Sequence, residues 1–531
     1  MCTDLAASGR SLVAMIVTAL AVSACTEPPT QDDRLAVMRW LKCEECVDNE
    51  LAAVRKAGNR AVPLLSEALR GPPADSTANV KRQIGEAYVR VRERGPAPTL
   101  DSSVYAKYYL GNYRSLYQSR AISGLEAIGT KEAMDALEGA RAKADSGIVG
   151  YEFRDDVKGD LALAVDRRWS SISAGLGRTC GIQIDGSAYC WGKNDQGQLG
   201  SGGTTGSSRP VLLHAPVGSD TALRFISIAV GDSGQHTCGI SVDKRAFCWG
   251  DNAQGQLGDN STTGRDIPTA VDTGLALVGI TVGGDQTCAW TPDYRALCWG
   301  DNGFGQLGDG TTTDRLVPTP VASNFAPARI SAGANHTCAD SLNNVLYCWG
   351  LNGDGQLGDG TNSNRPVPAR ATTSIIVKAL SVGAVHTCVL AQSIPGVTEG
   401  SAYCTGNNAD GQLGEGGTSD KSQLTKTDGP PFLAVSAGEN HTCGIALANR
   451  RMYCWGGNQF GQLGTGGPPT AVVLPTPISG TLAFMAVSAG AGHTCGITIQ
   501  GQAYCWGLNS DGQLGDSTTT NQPTPVRVVR P

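Results

Sequence analysis

The sequence predicts a mainly β protein: a seven-bladed β-propeller of four-stranded antiparallel blades, preceded by a small α-helical domain. Two observations predict the propeller. The string GQLG occurs seven times at intervals of 50 to 58 residues, and every repeat carries its own pair of cysteines. The composition agrees, because 70 glycines with 6% aromatic and 17% charged residues are typical of a turn-rich β protein. A unit of this length with about four short strands fits one propeller blade.

Each repeat has the same internal order. A short segment such as Ile172-Ser-Ala-Gly175 precedes a His-Thr-Cys triplet or a close variant, and a Cys-Trp-Gly triplet then precedes GQLG. The fifth repeat departs from this order with Cys404-Thr405-Gly406. The seven GQLG strings begin at Gly197, Gly255, Gly305, Gly355, Gly411, Gly461 and Gly512. An asparagine stands three residues before each of them, at Asn194, Asn252, Asn302, Asn352, Asn408, Asn458 and Asn509.

These recurring residues are expected to build the scaffold. The glycines of Trp-Gly and GQLG permit the positive φ or crowded backbone of a tight turn. We expect the leucine to pack between blades and the asparagine to hydrogen-bond nearby backbone in the turn. The tryptophans should supply apolar area where successive blades meet. They are Trp191, Trp249, Trp299, Trp349, Trp455 and Trp506.

The pattern WGxNxxGQLG, repeated with its upstream strand pair, resembles the repeats of the regulator of chromosome condensation family. The resemblance covers residues 169–531 and implies a seven-bladed propeller. Members of that family act as nucleotide exchange factors for a small nuclear GTPase, as bacterial enzyme inhibitors and as general binding platforms. The resemblance therefore implies the fold more specifically than the function.

Fourteen of the 18 cysteines fall in the repeats, two in each. Five pairs are ten residues apart, and residues ten apart stand opposite each other in a hairpin with a three-residue loop. In the first repeat this loop is Ile184-Asp185-Gly186, with the glycine at the left-handed position, which Asn344 and Gly501 occupy in the fourth and seventh repeats. The predicted disulfide bonds are Cys180–Cys190, Cys238–Cys248, Cys288–Cys298, Cys338–Cys348, Cys388–Cys404, Cys443–Cys454 and Cys495–Cys505.

Two observations favour disulfide bonds over the alternatives, which are free buried thiols and metal ligation. The fifth pair is longer by six residues and the sixth by one, yet both cysteines persist. A metal site is a possible reading because His236 and Cys238 share a strand face. However, Arg178 and Gln286 replace the histidine in two repeats that keep both cysteines. Each bridge is expected to stabilise the fold by about 2–3 kcal/mol.

The N-terminal region predicts export and a lipid anchor. Residues 11–22 form an apolar run that is too short to span a bilayer but suits the core of a signal peptide. The segment Val22-Ser23-Ala24-Cys25 resembles the lipobox of bacterial lipoproteins, which implies a signal peptide over residues 1–24 and lipidation of Cys25. An ordinary secretory signal is the alternative. Residues 25–33 are expected to form a tether, and either reading brings the cysteines into an oxidising compartment.

Residues 34–165 are predicted to form an α-helical domain that is loosely similar to HEAT repeats. Ala, Leu, Glu, Arg and Lys dominate there, and apolar residues recur at helical intervals. Helices are predicted over residues 61–70 and, as a pair, over 117–128 and 131–143. The motif Cys43-Glu-Glu-Cys46 is interpreted as a local disulfide, with a redox dithiol or half a zinc site as alternatives. The propeller is expected over residues 169–531.

The sequence predicts neither an enzyme nor a bound cofactor or metal. It contains no Gly-x-Ser-x-Gly, HExxH or phosphate-loop motif. Loops such as 309–314 and 359–362 are interpreted as solvated turns rather than calcium sites. The net charge is −6, and residues 169–531 contain 19 Lys and Arg against 25 Asp and Glu. A nucleic-acid partner is therefore not expected.

The expected function is that of an exported, lipid-anchored binding scaffold in the cell envelope or outside the cell, most simply an outer-membrane or surface lipoprotein. We expect a monomer that reaches the membrane only through its lipid and binds an unidentified protein or glycan with a propeller face. Inhibition or docking of a specific envelope or secreted enzyme is one alternative. Guanine nucleotide exchange, implied by the family resemblance, is another, although export separates the chain from intracellular GTPases. The inserts at residues 216–223 and 392–400 depart from the repeat consensus, and the hypothesis is that a partner binds there.

Overall fold

The computed structural model describes residues 62–68, 70, 118, 121, 122, 125, 136, 137, 140, 169–216, 223–391 and 400–529. The chain divides into two units, Met1–Arg167 and Arg168–Pro531. In the first unit, helix α1 spans Val62–Ala68, inside the helix predicted for residues 61–70. It buries Leu64, Leu65 and Ala68.

Further described residues of the first unit are also helical. They fall inside the two segments predicted to form a helix pair, and several recur at the intervals of three and four that mark one buried helix face. The signal peptide, the tether, the Cys43-Glu-Glu-Cys46 motif and the predicted bounds of the helical domain lie outside the described residues. The buried residues concerned are Gln118, Ala121, Ile122, Leu125, Leu137 and Ala140.

The second unit is the predicted propeller. Its described residues contain twenty-eight strands, and each consecutive group of four forms one antiparallel sheet. Blade 1 consists of β1 Trp169–Ala174, β2 Arg178–Gln183, β3 Ala188–Gly192 and β4 Ser207–Leu212. Blade 2 consists of β5 Phe225–Val230, β6 His236–Ser241, β7 Ala246–Gly250 and β8 Arg265–Ala270. Blade 3 consists of β9 Gly279–Val282, β10 Gln286–Trp290, β11 Ala296–Gly300 and β12 Arg315–Pro320.

The remaining four blades follow the same plan. Blade 4 consists of β13 Pro327–Ala332, β14 His336–Ser341, β15 Leu346–Gly350 and β16 Arg365–Arg370. Blade 5 consists of β17 Val377–Val382, β18 His386–Ala391, β19 Ala402–Gly406 and β20 Lys421–Lys426. Blade 6 consists of β21 Phe432–Ala437, β22 His441–Ala446, β23 Met452–Gly456 and β24 Val472–Pro477. Blade 7 consists of β25 Phe484–Ala489, β26 His493–Thr498, β27 Ala503–Gly507 and β28 Gln522–Arg527.

The ring closes by contact between blades 7 and 1. The first strand of each blade contacts the first strands of both neighbouring blades, so these seven strands line the centre. In the part of the chain that the structure describes, every blade takes all four strands from its own repeat. Across the closing contact, Ala174 N–H donates to Ser488 Oγ at 2.9 Å and Trp169 N–H donates to Gly501 O at 3.4 Å.

The central hairpin of each blade has the predicted register. In blade 1, Cys180 lies directly opposite Cys190. The N–H of Gln183 donates to Ser187 O at 2.7 Å, which leaves the predicted three-residue loop between them. The last loop residue, Gly186, has a φ of 84°, as its left-handed position requires.

The same left-handed position occurs in the other hairpins, with and without glycine. Asn344 and Gly501 occupy it with φ of 59° and 76°, as predicted. Lys244 and Tyr294 occupy it in blades 2 and 3 with φ of 61° and 63°. A left-handed conformation costs a residue with a Cβ roughly 1–2 kcal/mol, so these two hairpins contain local strain.

Successive blades meet through tryptophan and leucine, as the sequence predicts, and also through a glycine. The Trp249 indole N–H donates to Gln198 O of the preceding blade at 3.0 Å. Its ring lies so close to Gly200 that a Cβ there would stand 2.7 Å from Nε1. Leu199 is fully buried in the same cluster. Equivalent bonds join Trp191 to Gln513, Trp299 to Gln256, Trp349 to Gln306, Trp455 to Gln412 and Trp506 to Gln462.

One glycine follows the first strand of each blade, and the seven glycines together form a ring. A Cβ on six of these residues would stand 1.9–2.4 Å from the carbonyl oxygen of the equivalent glycine in the next blade, and 2.8 Å in the seventh case. Backbone therefore approaches backbone all around the centre, which a side chain at these positions would prevent. The ring consists of Gly175, Gly231, Gly283, Gly333, Gly383, Gly438 and Gly490.

Side-chain hydroxyl groups accept hydrogen bonds from the backbone of the inner strands. The first strand of a blade is an edge strand, and its backbone N–H needs a partner outside its own sheet. Ser331 Oγ accepts from Val382 N–H of the next blade at 3.2 Å, and Ser381 Oγ accepts from Ala437 N–H at 2.9 Å. Ala229 holds the equivalent position in blade 2. The other hydroxyl acceptors are Ser173, Thr281, Ser436 and Ser488.

The topology gives the propeller two different faces. One face carries the hairpin between the second and third strands of each blade, together with the connections from one blade to the next; we name it the hairpin face. The opposite face carries the turn between the first and second strands and the loop between the third and fourth strands; we name it the turn face. Strand direction alternates within each sheet, so every blade contributes to both faces in the same way.

Candidate functional site

Disulfide bonds join the two central strands of all seven blades. All fourteen cysteines are fully buried. The longer hairpins of blades 5 and 6 still place the partners directly opposite each other in the sheet, so the prediction of disulfide bonds is supported. The bonds are Cys180–Cys190, Cys238–Cys248, Cys288–Cys298, Cys338–Cys348, Cys388–Cys404, Cys443–Cys454 and Cys495–Cys505.

Five buried histidines connect neighbouring blades. The Thr287 hydroxyl donates to Gln256 O at 2.9 Å, so it can only accept from His236 Nε2, 2.8 Å away. The proton of the neutral imidazole is therefore on Nε2. Burial lowers the pKa of His236 to about 3, and the Arg178 charge adds to this effect. The same contact joins His336 to Thr387, His386 to Thr442, His441 to Thr494 and His493 to Thr179.

The two repeats without this histidine make equivalent contacts with other groups. The guanidinium of Arg178 is fully buried and donates to Thr237 Oγ1 at 3.2 Å, to Gly234 O at 2.8 Å and to His236 O. Burial lowers the pKa of Arg178 to about 9, while nearby carboxylates act against this shift. Gln286 Nε2 donates to Gly333 O of the next blade at 2.8 Å. These positions therefore hold the ring together.

The repeated asparagine has the turn role that the sequence predicts. Asn302 Oδ1 accepts from Leu307 N–H at 3.0 Å, and its Nδ2 donates to Thr311 O and Thr313 O, each at 3.1 Å. One side chain thus ties the GQLG turn to the loop that follows it. This use explains why the residue recurs in every blade.

The interpretation of loop 309–314 as a solvated turn is wrong for Asp309. Its side chain is 5% exposed and pairs with Arg315 at 2.6 Å. Burial acts to raise the pKa of Asp309, but hydrogen bonds from Thr311 and Arg315 outweigh burial and hold it below its usual range. The carboxylate is already satisfied within the loop. Equivalent ion pairs join Arg265 to Asp259 and Arg365 to Asp359.

Several predicted features lie outside the described residues. They are Cys25, Cys43, Cys46 and residues 217–222 and 392–399 of the two inserts. Among the residues that the structure describes, no group of three or more His, Cys, Asp or Glu side chains is arranged to hold a metal ion. No helix in this part of the chain is long and apolar enough to cross a membrane.

Exposed apolar side chains collect on the hairpin face. Eight of the large hydrophobic residues that are more than 40% exposed lie at the hairpins or at the starts of the inner strands. The sequence did not single them out, because their neighbours alternate in the ordinary strand pattern. They come from blades 2, 3, 4, 6 and 7, and exposed apolar side chains that share one face can form an interaction surface. We name these residues the apolar ring: Ile226, Val242, Val278, Tyr294, Leu342, Leu447, Met485 and Ile499.

The inner part of the turn face is acidic. It consists of the turns after the first strands and the segments between Trp-Gly and GQLG. Among the described surface residues of this region, Lys193 is basic. Burial raises the pKa of Asp232, and the charge of Glu439 raises it further. The acidic residues and the raised pKa of Asp232 both indicate a negative electrostatic potential, which favours cations. The acidic residues are Asp195, Asp232, Asp251, Asp285, Asp301, Asp354, Asp410, Glu439 and Asp511.

A sequence profile of the RCC1-like domain matches residues 145–484, and profiles of the regulator of chromosome condensation (RCC1) repeat match residues 486–513 and 500–531. The first match covers more than half of the chain. The chain belongs to the RCC1-like domain family. The family assignment agrees with the resemblance that the repeated motif implies.

Curated relatives of this RCC1-like chain match it over short stretches. The human E3 ubiquitin-protein ligase HERC2 is 27% identical over 106 residues, which cover 20% of this chain and 2% of the ligase. The mitochondrial RCC1 domain-containing protein RUG3 of Arabidopsis thaliana is 30% identical over 103 residues, which cover 19% of this chain and 22% of RUG3. The chain thus spans less than a quarter of the length of either relative.

Solved structures share the fold of this RCC1-like propeller. Human WBSCR16 aligns with a TM-score of 0.57 and 18% identity over 65% of this chain and 94% of its own. Prp20p from Saccharomyces cerevisiae aligns with a TM-score of 0.57 and 22% identity over 69% of this chain and 88% of its own. At these identities the likeness shows the fold.

Proposed function

We propose that this RCC1-like protein is an exported, lipid-anchored binding scaffold whose hairpin face holds a protein partner. The observation that carries the proposal is a rigid ring, stapled by a disulfide bond in each blade, that presents the apolar ring on one face. Such a frame holds a wide surface in one shape, so binding costs little ordering entropy. A glycan is the alternative ligand, but exposed aliphatic groups favour a protein.

The disulfide bonds indicate an oxidising environment outside the cytosol or in the cell envelope. The signal-like run at residues 11–22 and the lipobox-like cysteine support export and lipidation. Metabolic labelling with a palmitate analogue tests the anchor. We expect label on the wild-type protein and none on Cys25→Ser, with the variant released from the membrane fraction. Equal labelling of both proteins would contradict lipidation at this residue.

Chemical crosslinking and pull-down from envelope fractions test the binding proposal. We expect the mature protein to recover a specific protein. Substitution of Val242→Glu or Leu342→Glu should abolish recovery, because each places a charge within the apolar ring. The matched controls are Val367→Glu and Leu474→Glu, which change exposed apolar residues on outer strands. The proposal fails if controls and ring variants recover the partner equally.

The same experiment separates the alternatives. Recovery of one enzyme whose activity falls on binding would support the inhibitor function, and recovery of peptidoglycan or another glycan would support glycan binding. Binding to Gsp1p and histones is stated for Prp20p. Faster nucleotide release from a GTPase in the presence of this protein would support an exchange function. A variant that lacks residues 217–222 and 392–399 tests the hypothesis that the partner contacts the inserts.

A further inference from the structure

A cleft opens on the turn face, opposite the apolar ring. Its volume is about 300 Å³, and residues of blades 5, 6, 7 and 1 line it. Asp410 and Glu439 contribute carboxylates, Phe460 and Leu508 contribute apolar surface, and Gln462 contributes an amide. All of these residues belong to the propeller unit.

Gly457 lines the cleft and has no side chain to occupy it. Gly457 stands between Trp-Gly and the repeated asparagine, where blades 4 and 7 have Leu351 and Leu508. A Cβ on Gly457 would stand 3.2 Å from Asn440 O and 3.5 Å from Asp410 Oδ2. The φ of Gly457 is not in the left-handed region, so no backbone conformation requires glycine here.

A glutamine amide that lines the cleft also has an unused donor. In blades 2 and 3 the equivalent glutamine donates through Nε2 to Asp251 and Asp301, at 3.1 and 2.6 Å. Gln462 is 3% exposed, and its Oε1 accepts from Phe460 N–H at 2.9 Å. Within the described residues, its Nε2 donates no hydrogen bond. Because Gln462 lines the cleft, a ligand that accepts a hydrogen bond from its Nε2 would gain affinity.

The cleft also contains two carboxylates, those of Asp410 and Glu439. Among the described residues, neither Asp410 nor Glu439 accepts a side-chain hydrogen bond or forms an ion pair. Glu439 is half-buried, and burial raises its pKa. Its charge also acts on Asp232 near the centre of the ring. A cation between the carboxylates would offset this electrostatic cost.

We propose that the cleft binds a basic side chain, arginine or lysine, that is presented by a partner polypeptide. The cationic group lies between Asp410 and Glu439, and its aliphatic stem packs against Phe460 and Leu508. Gln462 Nε2 donates to a backbone carbonyl of the same polypeptide. The site goes beyond the proposed function because it lies on the other face and selects a ligand by charge. The acidic turn face attracts such a ligand from solution.

Fluorescence polarisation of labelled pentapeptides tests the site in the full mature protein. The probes are Gly-Gly-X-Gly-Gly with arginine, lysine, citrulline or glutamate at X. We expect the arginine and lysine probes to bind with Kd on the order of 1 mM at low salt. The citrulline probe, which has nearly the shape of arginine without its charge, should bind about tenfold more weakly. The glutamate probe should not bind.

Two variants and one control assign the binding to the cleft. Gly457→Leu fills the cleft with the residue of blades 4 and 7, and Glu439→Gln removes one charge while keeping the shape. Each should weaken arginine binding about tenfold. Asp354→Asn removes an acid of the same face outside the cleft and should change binding less than about twofold.

Three results would overturn the proposal. Equal binding of citrulline and arginine would show that the charge is not recognised. Unchanged binding by both cleft variants would show that the ligand lies elsewhere. Equal losses in Asp354→Asn and Glu439→Gln would show general attraction to an acidic face. Because the apolar-ring variants are tested separately, failure here leaves the hairpin-face proposal intact, and the reverse is also true.

Discussion

At the residue scale, the exceptions to the repeat show what each position does. The histidine of the second strand is replaced by Arg178 in blade 1 and by Gln286 in blade 3, and each substitute still hydrogen-bonds the next blade. The tryptophan is replaced by Thr405 in blade 5, whose hydroxyl donates to Gly355 O of the preceding blade at 2.9 Å. Positions that keep their contact with a changed side chain are structural, and Gly457 differs because it has no side chain to make a contact.

The hydroxyl position of the inner strands gives the first prediction. Ala229→Ser should stabilise the protein by about 0.5–1.5 kcal/mol, because it restores a hydroxyl acceptor for the inner edge of blade 3. Ser381→Ala, which removes the equivalent hydrogen bond, should destabilise it by a similar amount. Urea unfolding under oxidising conditions measures both changes. A lower midpoint for Ala229→Ser would show that the inner edge of blade 3 does not need this bond.

The strained hairpin position gives the second prediction. Lys244→Gly should stabilise blade 2 by roughly 0.5–1 kcal/mol, because glycine adopts the left-handed φ of 61° without steric cost. The matched control is Gly186→Ala at the same position of blade 1, where the φ of 84° should make alanine destabilising. Thermal unfolding of both variants measures the pair. Loss of stability in Lys244→Gly would mean that the lysine makes a contact worth more than the strain.

At the element scale, the stapled hairpin is the unit of the fold. In each blade the two cysteines lie opposite each other on the two central strands, and both residues are fully buried. Loop length between the two cysteines varies from blade to blade while the pairing is retained. The disulfide bonds therefore fix each hairpin within its own repeat.

Removal of one disulfide bond gives the third prediction. Cys388→Ala with Cys404→Ala should lower the free energy of unfolding by about 2–4 kcal/mol, because the pair closes the longest loop, with a separation of 16 residues. The same change at Cys180 and Cys190, with a separation of 10, should cost about 0.4 kcal/mol less. Urea unfolding compares the two variants. Equal or reversed losses would show that native packing, and not chain entropy, dominates.

At the scale of the whole molecule, stability depends on contacts that pass around the ring. Tryptophan, histidine and hydroxyl contacts each connect one blade to the next, and blade 7 meets blade 1 through the same three kinds of contact. The glycine ring adds close backbone contact at the centre. Each blade is held by both of its neighbours, so the loss of one contact affects the stability of the whole ring.

The buried histidines make stability depend on pH, which is the fourth prediction. Burial lowers their pKa values from 6.5 to about 3, or about 4 for His441. Below pH 6.5 the unfolded chain therefore binds protons that the folded chain does not. Stability should fall as the pH drops from 6.5 towards 3. Asp232, Asp285 and Glu439, whose pKa values are raised by burial, act in the opposite direction at the acidic end.

One variant and one control isolate the histidine contribution. His386→Gln, which places the residue of blade 3 in blade 5, should reduce the slope of unfolding free energy against pH by one proton, about 1.4 kcal/mol per pH unit. His214→Gln changes an exposed histidine and should leave the slope unchanged. Urea titrations between pH 4 and 7 give the slopes. Equal slopes for wild type and His386→Gln would contradict a neutral, buried imidazole.

The number of blades, the register of each hairpin and the partner of each repeat cysteine could all be predicted from the sequence. These features are local: GQLG marks each turn, and the loop length between two strands sets which residues face each other. The interpretation of loop 309–314 as solvated was wrong only for Asp309, because its pairing with Arg315 depends on how the loop folds back. Only the tertiary structure decided the ring-closing contacts, the apolar ring and the cleft beside Gly457. Those features join residues of different blades, and no spacing along one repeat records which side chains a neighbouring blade brings near.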